Sequence, residues 1–273
     1  MTKVWFITGS SRGLGRRLTE YALAQGDSVI ATARDSSTLS DLAQTHGPQI
    51  LTVSLDVQSY PSAASAISAG LAQFGHIDIV VNNAGYANID SVEDISMATF
   101  RAQVETNLFG VVHVSKAVTP ILRAQGHGHI VQISSLGGRL GSPGLSAYQC
   151  SKWAVGGVST CLAAELAPLG VKVTVLEPGG IRTDWSGSSM ETREPSGPYK
   201  ETVGAFSDMI RGYHGQEPSL PEKFGPIIDT LYASEEPPVR MLIGPDALQF
   251  AKQIADAQAK SDEKWKELSA SSV

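Results

Sequence analysis

Cysteine is nearly absent: Cys150 and Cys161 are the only two in 273 residues, and the chain holds no Cys-x-x-Cys and no His-Glu-x-x-His. That argues against a disulfide framework and against a zinc site of familiar spacing, and both thiols are expected to be reduced, small and buried in one helix. No apolar stretch reaches the roughly 20 residues of a membrane span. No basic region followed by an apolar stretch and a cleavage site precedes the first strand, so a cytoplasmic location is expected. Nor is there a run of Lys and Arg; with a formal net charge of -6, nucleic acid and acidic membrane surfaces are poor partners. His127 and His129 flank a glycine but lack further ligands, so no metal is expected. What is plentiful is core: with 42% hydrophobic and 18% charged residues, the chain can fold as one domain acting on small molecules.

Short β-branched runs recur at 4–8, 28–33, 50–55, 77–82, 129–133, 171–177 and 240–243, with helical patterns at 13–25, 60–74, 100–125 and 148–169. Several of the runs are apolar almost throughout, as parallel strands covered on both faces require. The pattern predicts an α/β fold, a Rossmann-type doubly wound parallel sheet of seven strands in a single domain, 1–273. Right-handed crossovers put the carboxyl ends of the strands, with Thr8, Asn82, Ser134 and Pro178, along the edge where ligands bind. Residues 185–221, rich in Gly, Pro, Ser and charge with scattered aromatics, are expected to form a helical lid over the substrate. Residues 245–273 are expected to form one amphipathic helical tail.

The segment TGSSRGLG at 8–15 follows the first strand and opens the first helix. There, glycines let the backbone approach a pyrophosphate and the helix N-terminus supplies N–H groups and a positive dipole end. At the end of the second strand, a carboxylate would bind the adenosine ribose hydroxyls of NAD and repel the phosphate of NADP. Ala33 occupies that slot, while Arg34 follows it and Arg12 lies in the glycine turn, so two guanidinium groups could bracket a 2′-phosphate. NADP(H) is therefore the favoured cofactor, with NAD(H) possible. Asp56 and Val57 could hold the adenine, and Asn82, Asn83, Ala84 and Gly85 could line the floor beneath it.

Ser135, Tyr148 and Lys152, with Asn107 upstream, supply a different chemistry. A phenol and an ammonium one helical turn apart, with a hydroxyl thirteen residues earlier at a strand end, can pass a proton to or from a carbonyl oxygen. Taken together, TGSSRGLG at 8–15, Asp56-Val57, NNAG at 82–85, Asn107, Ser135, YQCSK at 148–152 and PGGIRT at 178–183 resemble the short-chain dehydrogenase/reductase family, in its compact single-domain branch. The wording around 4–17 and 29–34 is most similar to the hydroxysteroid and retinol dehydrogenase-like subgroup.

The resemblance implies that Tyr148 is the acid that protonates a ketone oxygen, or the base in the reverse reaction on a secondary alcohol. Lys152 would lower the phenol's pKa and bind the nicotinamide ribose, Ser135 would hydrogen-bond the substrate oxygen, and Asn107 would hold a relay water. Around the cofactor it implies Thr8, Gly9, Ser11, Arg12, Gly13, Leu14 and Gly15 at the phosphates. Arg34, Asp56, Val57, Asn83, Ala84 and Gly85 would lie along the adenosine. Tyr148, Lys152, Pro178, Gly179, Ile181 and Thr183 would lie at the nicotinamide, where the Ile181 backbone meets the carboxamide. Family members commonly pair through helices flanking the fifth strand, which implies a homodimer or homotetramer. The rival of another class is an NADP(H)-binding regulatory sensor without turnover; such relatives typically lose the Tyr and Lys pair, which is present here. A dehalogenase-type lyase would replace Lys152 by arginine, and a hydrolase elbow fails because Tyr148 stands where G-x-S-x-G needs its second glycine.

Overall fold

Alternation within the first strand builds both faces of a sheet: Trp5 and Ile7 pack into one apolar cluster and Val4 and Phe6 into another. The computed structural model describes residues 2–186 and 190–272. Positions 187–189 of the expected lid, and 1 and 273 of the expected domain, lie outside the described residues. In chain order the strands are β1 (Val4–Ile7), β2 (Ser28–Ala33), β3 (Ile50–Ser54), β4 (Ile79–Asn82), β5 (Asn88–Ile89), β6 (Gly128–Ile133), β7 (Val171–Pro178), β8 (Glu191–Thr192) and β9 (Arg240–Ile243). The helices are α1 (Gly13–Ala24), α2 (Ser40–His46), α3 (Tyr60–Phe74), α4 (Met97–Val104), α5 (Gly110–Gln125), α6 (Ser146–Leu166), α7 (Ala205–Tyr213), α8 (Phe224–Ala233) and α9 (Pro245–Ala270).

Seven strands pair in parallel in the order β3-β2-β1-β4-β6-β7-β9, and β5 pairs with β8 in a separate two-stranded ribbon. Strand order reverses between β1 and β4, so the crevice above their carboxyl ends is the topological switch point. Leu14, Leu18, Phe224 and Ile228 bring α1 and α8 onto the Trp5 face, while Ile67, Val114, Val118 and Leu166 bring α3, α5 and α6 onto the Phe6 face. Each such fully buried side chain contributes about 1.5–3 kcal/mol. The result is one domain, a Rossmann-type sheet between two helical layers. No helix among the described residues is long and apolar enough to cross a membrane.

The expected burial of the two cysteines is overturned: both are exposed. The inward stripe of α6 is Tyr148, Lys152, Val155, Ser159 and Ala163, a helical period on which positions 150 and 161 fall on the outer face. Two smaller departures shape the site. The helix expected over 100–125, with an interruption near Gly110, is α4 and α5 joined by a π-helical turn, Glu105–Phe109, just before Gly110. Among the described residues, the expected helical lid is helical only at α7, a π turn at Lys200–Gly204 and short 3-10 turns.

One buried group makes the fold acid-sensitive. His129 on β6 is completely buried, and its Nε2 lies 2.9 Å from the Thr174 hydroxyl, which itself donates to the Pro238 carbonyl. Thr174 therefore accepts, and the imidazole is neutral with its proton on Nε2. Burial, helped by the nearby Lys172 charge, pulls its pKa from 6.5 down to about 3. Between those values the unfolded chain binds a proton that the native chain refuses, so stability falls as pH drops below 6.5. The expected loss is about 2–3 kcal/mol at pH 4.5. His129→Gln should flatten the pH dependence of the urea midpoint between pH 6.5 and 4.5; an unchanged slope would assign acid sensitivity elsewhere.

Candidate active site

The two ends of the expected site converge on one cavity of about 1220 Å³ that runs from Arg34 to Phe250. Single small-molecule sites occupy about 300–1,000 Å³, so there is room for a dinucleotide and a second molecule.

At the phosphate end, β1 stops at Ile7 and the chain turns into α1 with Arg12 in extended conformation at the helix N-terminus, making no side-chain cap. The first N–H groups of α1 are thus left for an anion. Gly15 is required by close approach, since a Cβ there would overlap the Gly9 carbonyl and the Asn83 amide. The Thr8 hydroxyl accepts from Asn83 N and Ala84 N, both at 2.9 Å, and Asn83 Nδ2 donates back to Thr8 O at 2.9 Å. The glycine turn and the Asn82–Gly85 turn are therefore one unit across β1 and β4. Ser11, Gly13 and Leu14 line the same stretch of the cavity.

Ala33, Arg12 and Arg34 line the end of the cavity where the adenosine is expected. Among the described residues neither guanidinium has an ion pair or a side-chain hydrogen bond. Asp35, next to Arg34 in the chain, caps the following turn: its carboxylate accepts from Ser37 N at 3.0 Å, and its pKa is lowered by the Ser37 hydroxyl and by that backbone N–H. Leu55, Asp56 and Val57 follow β3 into the cavity; Asp56 Oδ1 accepts from Gln58 N, and the Val57 carbonyl is met by His113 Nδ1 at 3.0 Å.

At the other end, α6 presents Tyr148 and Lys152 inward, 7% and 5% exposed. Ser135, whose hydroxyl accepts from Gly137 N at 3.0 Å, lies beside the Tyr148 ring across Gly137 and acts to lower the phenol's pKa. Lys152 Nζ donates to the Ile133 carbonyl at 2.8 Å and lies 5.7 Å from the Tyr148 ring centroid. Burial pushes the phenol up to about 12, opposed by Ser135. Burial alone brings Lys152 down to about 8. The lowering of the phenol expected from Lys152 does not appear: burial raises it, and the opposing contribution comes from Ser135.

Asn107 is fully buried on the π turn and grips one backbone unit: Nδ2 donates to Tyr86 O at 2.8 Å and Oδ1 accepts from Tyr86 N at 3.1 Å. Gly85 lies against the same amide, within 3.8 Å of Lys152 Nζ measured from a would-be Cβ. Gln103, absent from the sequence-based set, donates to the same Tyr86 carbonyl at 2.8 Å. The available signal was a second amide one helical turn before Asn107. Pro178, Gly179, Ile181 and Thr183 complete the cavity wall beyond β7. All the residues expected at the site therefore lie at or beside this one cavity. No cluster among the described residues could hold a metal ion.

The outer part of the cavity is apolar. Trp185 stands 5.3 Å from the Tyr148 ring, centroid to centroid, and packs with Leu145, Met190, Val203 and Phe206. This segment is tied down by the β5–β8 pairing and by Tyr199, which donates to Glu93 at 2.6 Å.

A short chain dehydrogenase profile matches residues 3–194. The chain belongs to the short-chain dehydrogenase family. It is 56% identical over 274 residues to oxidoreductase BOA17 of Botryotinia fuckeliana (strain B05.10), covering all of both chains. A short-chain dehydrogenase from Streptomyces avermitilis superimposes with a TM-score of 0.93 at 34% identity, again over 100% of both chains. The same fold holds NAD in a short-chain dehydrogenase/reductase from Burkholderia phymatum, TM-score 0.80, 22% identity and 92% of each chain. It holds NADP in a short-chain dehydrogenase from Burkholderia cenocepacia J2315, TM-score 0.75, 24% identity, 96% of this chain and 97% of that one. The protein is thus a dehydrogenase/reductase of a family whose structural neighbours bind NAD or NADP. The profile match ends before α7 and α9, which add Phe206, Met209, Ile210 and Phe250 to the cavity wall.

Proposed function

We propose that this short-chain dehydrogenase is an NADPH-dependent carbonyl reductase, or in reverse a secondary alcohol dehydrogenase, with Tyr148 as the general acid. The observation that carries the reading is the grouping of Ser135, Tyr148 and buried Lys152, whose Nζ lies 5.7 Å from the Tyr148 ring centroid, on the wall of the same cavity that Arg12 and Arg34 line. When bound, NADPH supplies the hydride. Everything else is done by side chains. Ser135 and Tyr148 bind the ketone oxygen, and Tyr148 delivers a proton to it as negative charge develops. Lys152, buried behind the ring, keeps a positive charge near that oxygen and offers donors to a ribose. Asn107 and Gln103 hold Tyr86, fixing the wall opposite; in this reading the Asn107 segment also carries the relay water. Gly15 and the open N-terminus of α1 take the pyrophosphate, with Asp56 and Val57 at the adenine and Ile181 and Thr183 at the carboxamide.

The 185–221 segment acts in this proposal as the substrate lid. Its Trp185, Phe206 and Met209 give the substrate side an apolar wall suited to aryl or alicyclic ketones. Two copies pair through the outer face of α6, where Trp153 and Val158 stand 53% and 39% exposed beside Gly157.

The test is consumption of NADPH and, separately, NADH by the purified protein against aliphatic, aryl and steroid ketones. Faster turnover with NADPH supports the reading, and cofactor binding without turnover on any of them would favour a sensor. Changing Arg12 and Arg34 together to alanine should weaken NADPH about ten- to a hundredfold while NADH changes less than about threefold. Equal loss for both cofactors would remove the 2′-phosphate argument.

A further inference from the structure

The strand that ends at Pro178 is followed by a turn whose position is set from the far end of the chain. Gly179 N donates to the Ile243 carbonyl at the end of β9, at 3.0 Å, and Gly180 N donates to the Asp246 carboxyl in the first turn of α9, at 2.7 Å. On its other side the same turn is held by Ser219, which donates its N–H to Gly180 O at 3.1 Å and accepts from Arg182 N at 2.9 Å. The fit is close enough to dictate the residue: a Cβ on Gly179 would overlap the Asp246 carboxyl. Both Gly179 and Asp246 line the long cavity.

Asp246 has the place of a helix-capping acid, and an acid in a first turn normally serves its own helix. Here the recorded acceptor bond goes to Gly180, on another element. Its second oxygen, Oδ1, is buried with no partner among the described residues. A carboxyl kept in this setting with only one of its oxygens used is a costly arrangement for stability alone.

We propose that Asp246 is the positioning residue of the Gly179–Gly180 turn, and that through it the start of α9 sets the affinity for the nicotinamide half of the cofactor. This rests on the reading of the site as a nicotinamide dinucleotide site. Within the turn that receives the carboxamide, Gly180 N has the Asp246 carboxyl as its acceptor; without it, Gly180 N loses that partner and the turn, still held at Gly179 by Ile243 O, relaxes toward the space Asp246 vacates. The adenosine end is built from β1, β2 and β3, which Asp246 does not touch.

The experiment is calorimetric binding to the full chain. NADPH is compared with 2′-phospho-ADP-ribose, which lacks only the nicotinamide, and NADH with ADP-ribose in parallel. Asp246→Ala should weaken the whole cofactor about tenfold and leave its nicotinamide-free counterpart within about twofold. Asp246→Asn, which keeps an oxygen for Gly180 N and exchanges one unpartnered atom for another, should recover most of the loss. Asp246→Ser, whose shorter side chain falls short of Gly180 N, serves if the alanine protein does not fold. Equal weakening of cofactor and fragment, no weakening of either, or an asparagine variant as weak as alanine would each overturn the assignment. A chain that binds NADH more tightly than NADPH would correct the cofactor preference while leaving the Asp246 comparison intact.

Discussion

Tyr148→Phe is expected to lower the reduction rate by at least about a thousandfold, close to 4 kcal/mol of barrier, while the dissociation constant for NADPH stays within about twofold. The reason lies in how little the substitution removes. The ring keeps its contact with Trp185 and its place in the cluster with Leu145 and Val203. Ser135 keeps the Gly137 N–H, so no buried donor is orphaned. What is lost is the phenolic proton at the reacting end. With its pKa pushed up to about 12, the phenol is fully protonated at neutral pH, the form that reduction requires. Single-turnover NADPH oxidation by wild type and variant, with melting temperatures measured on both, separates lost chemistry from lost fold. Residual turnover within tenfold of wild type would remove Tyr148 from the proton-transfer step and leave binding and placement as its role.

Much of this architecture was legible because its strands are covered on both faces. The run at 28–33 coincides with β2, since a parallel strand buried almost throughout has no polar side to blur its ends, and the run at 240–243 coincides with β9 although that edge strand is only partly buried. The bonds that refine the site were less visible. A π turn arises from one residue too many in a helix, and no composition marks it, so the inward rotation of Asn107 at Glu105–Phe109 appears only in three dimensions. The cysteines show the opposite failure. The period carried by Tyr148, Lys152, Val155 and Ser159 is readable in the sequence and places Cys150 outward, so helical phase decides its exposure against the usual burial of a free cysteine. Asp246 illustrates a third limit: its partner Gly180 is 66 residues away, and only the pairing of β7 with β9 brings them together.

Lys152 ties this geometry to a measurable pH dependence. Its ordinary value of 10.5 falls to about 8 because burial disfavours the ammonium, whereas the phenol it supports stays protonated far above that. In reduction, kcat/KM should therefore be level below pH 7 and decline above about 8 along a one-proton limb, as Lys152 loses its charge while Tyr148 keeps its proton. Lys152→Met should drop the plateau by about a hundredfold or more and abolish that limb, since no ammonium remains to titrate. Lys152→Arg should also remove the limb, with a smaller loss, because a guanidinium keeps its charge throughout but cannot reproduce the 2.8 Å bond to Ile133 O in the same space. The two variants separate charge from geometry: a limb that survives in either belongs to another group. A wild-type profile level to pH 10 would show that the buried ammonium is not the group on which proton delivery depends.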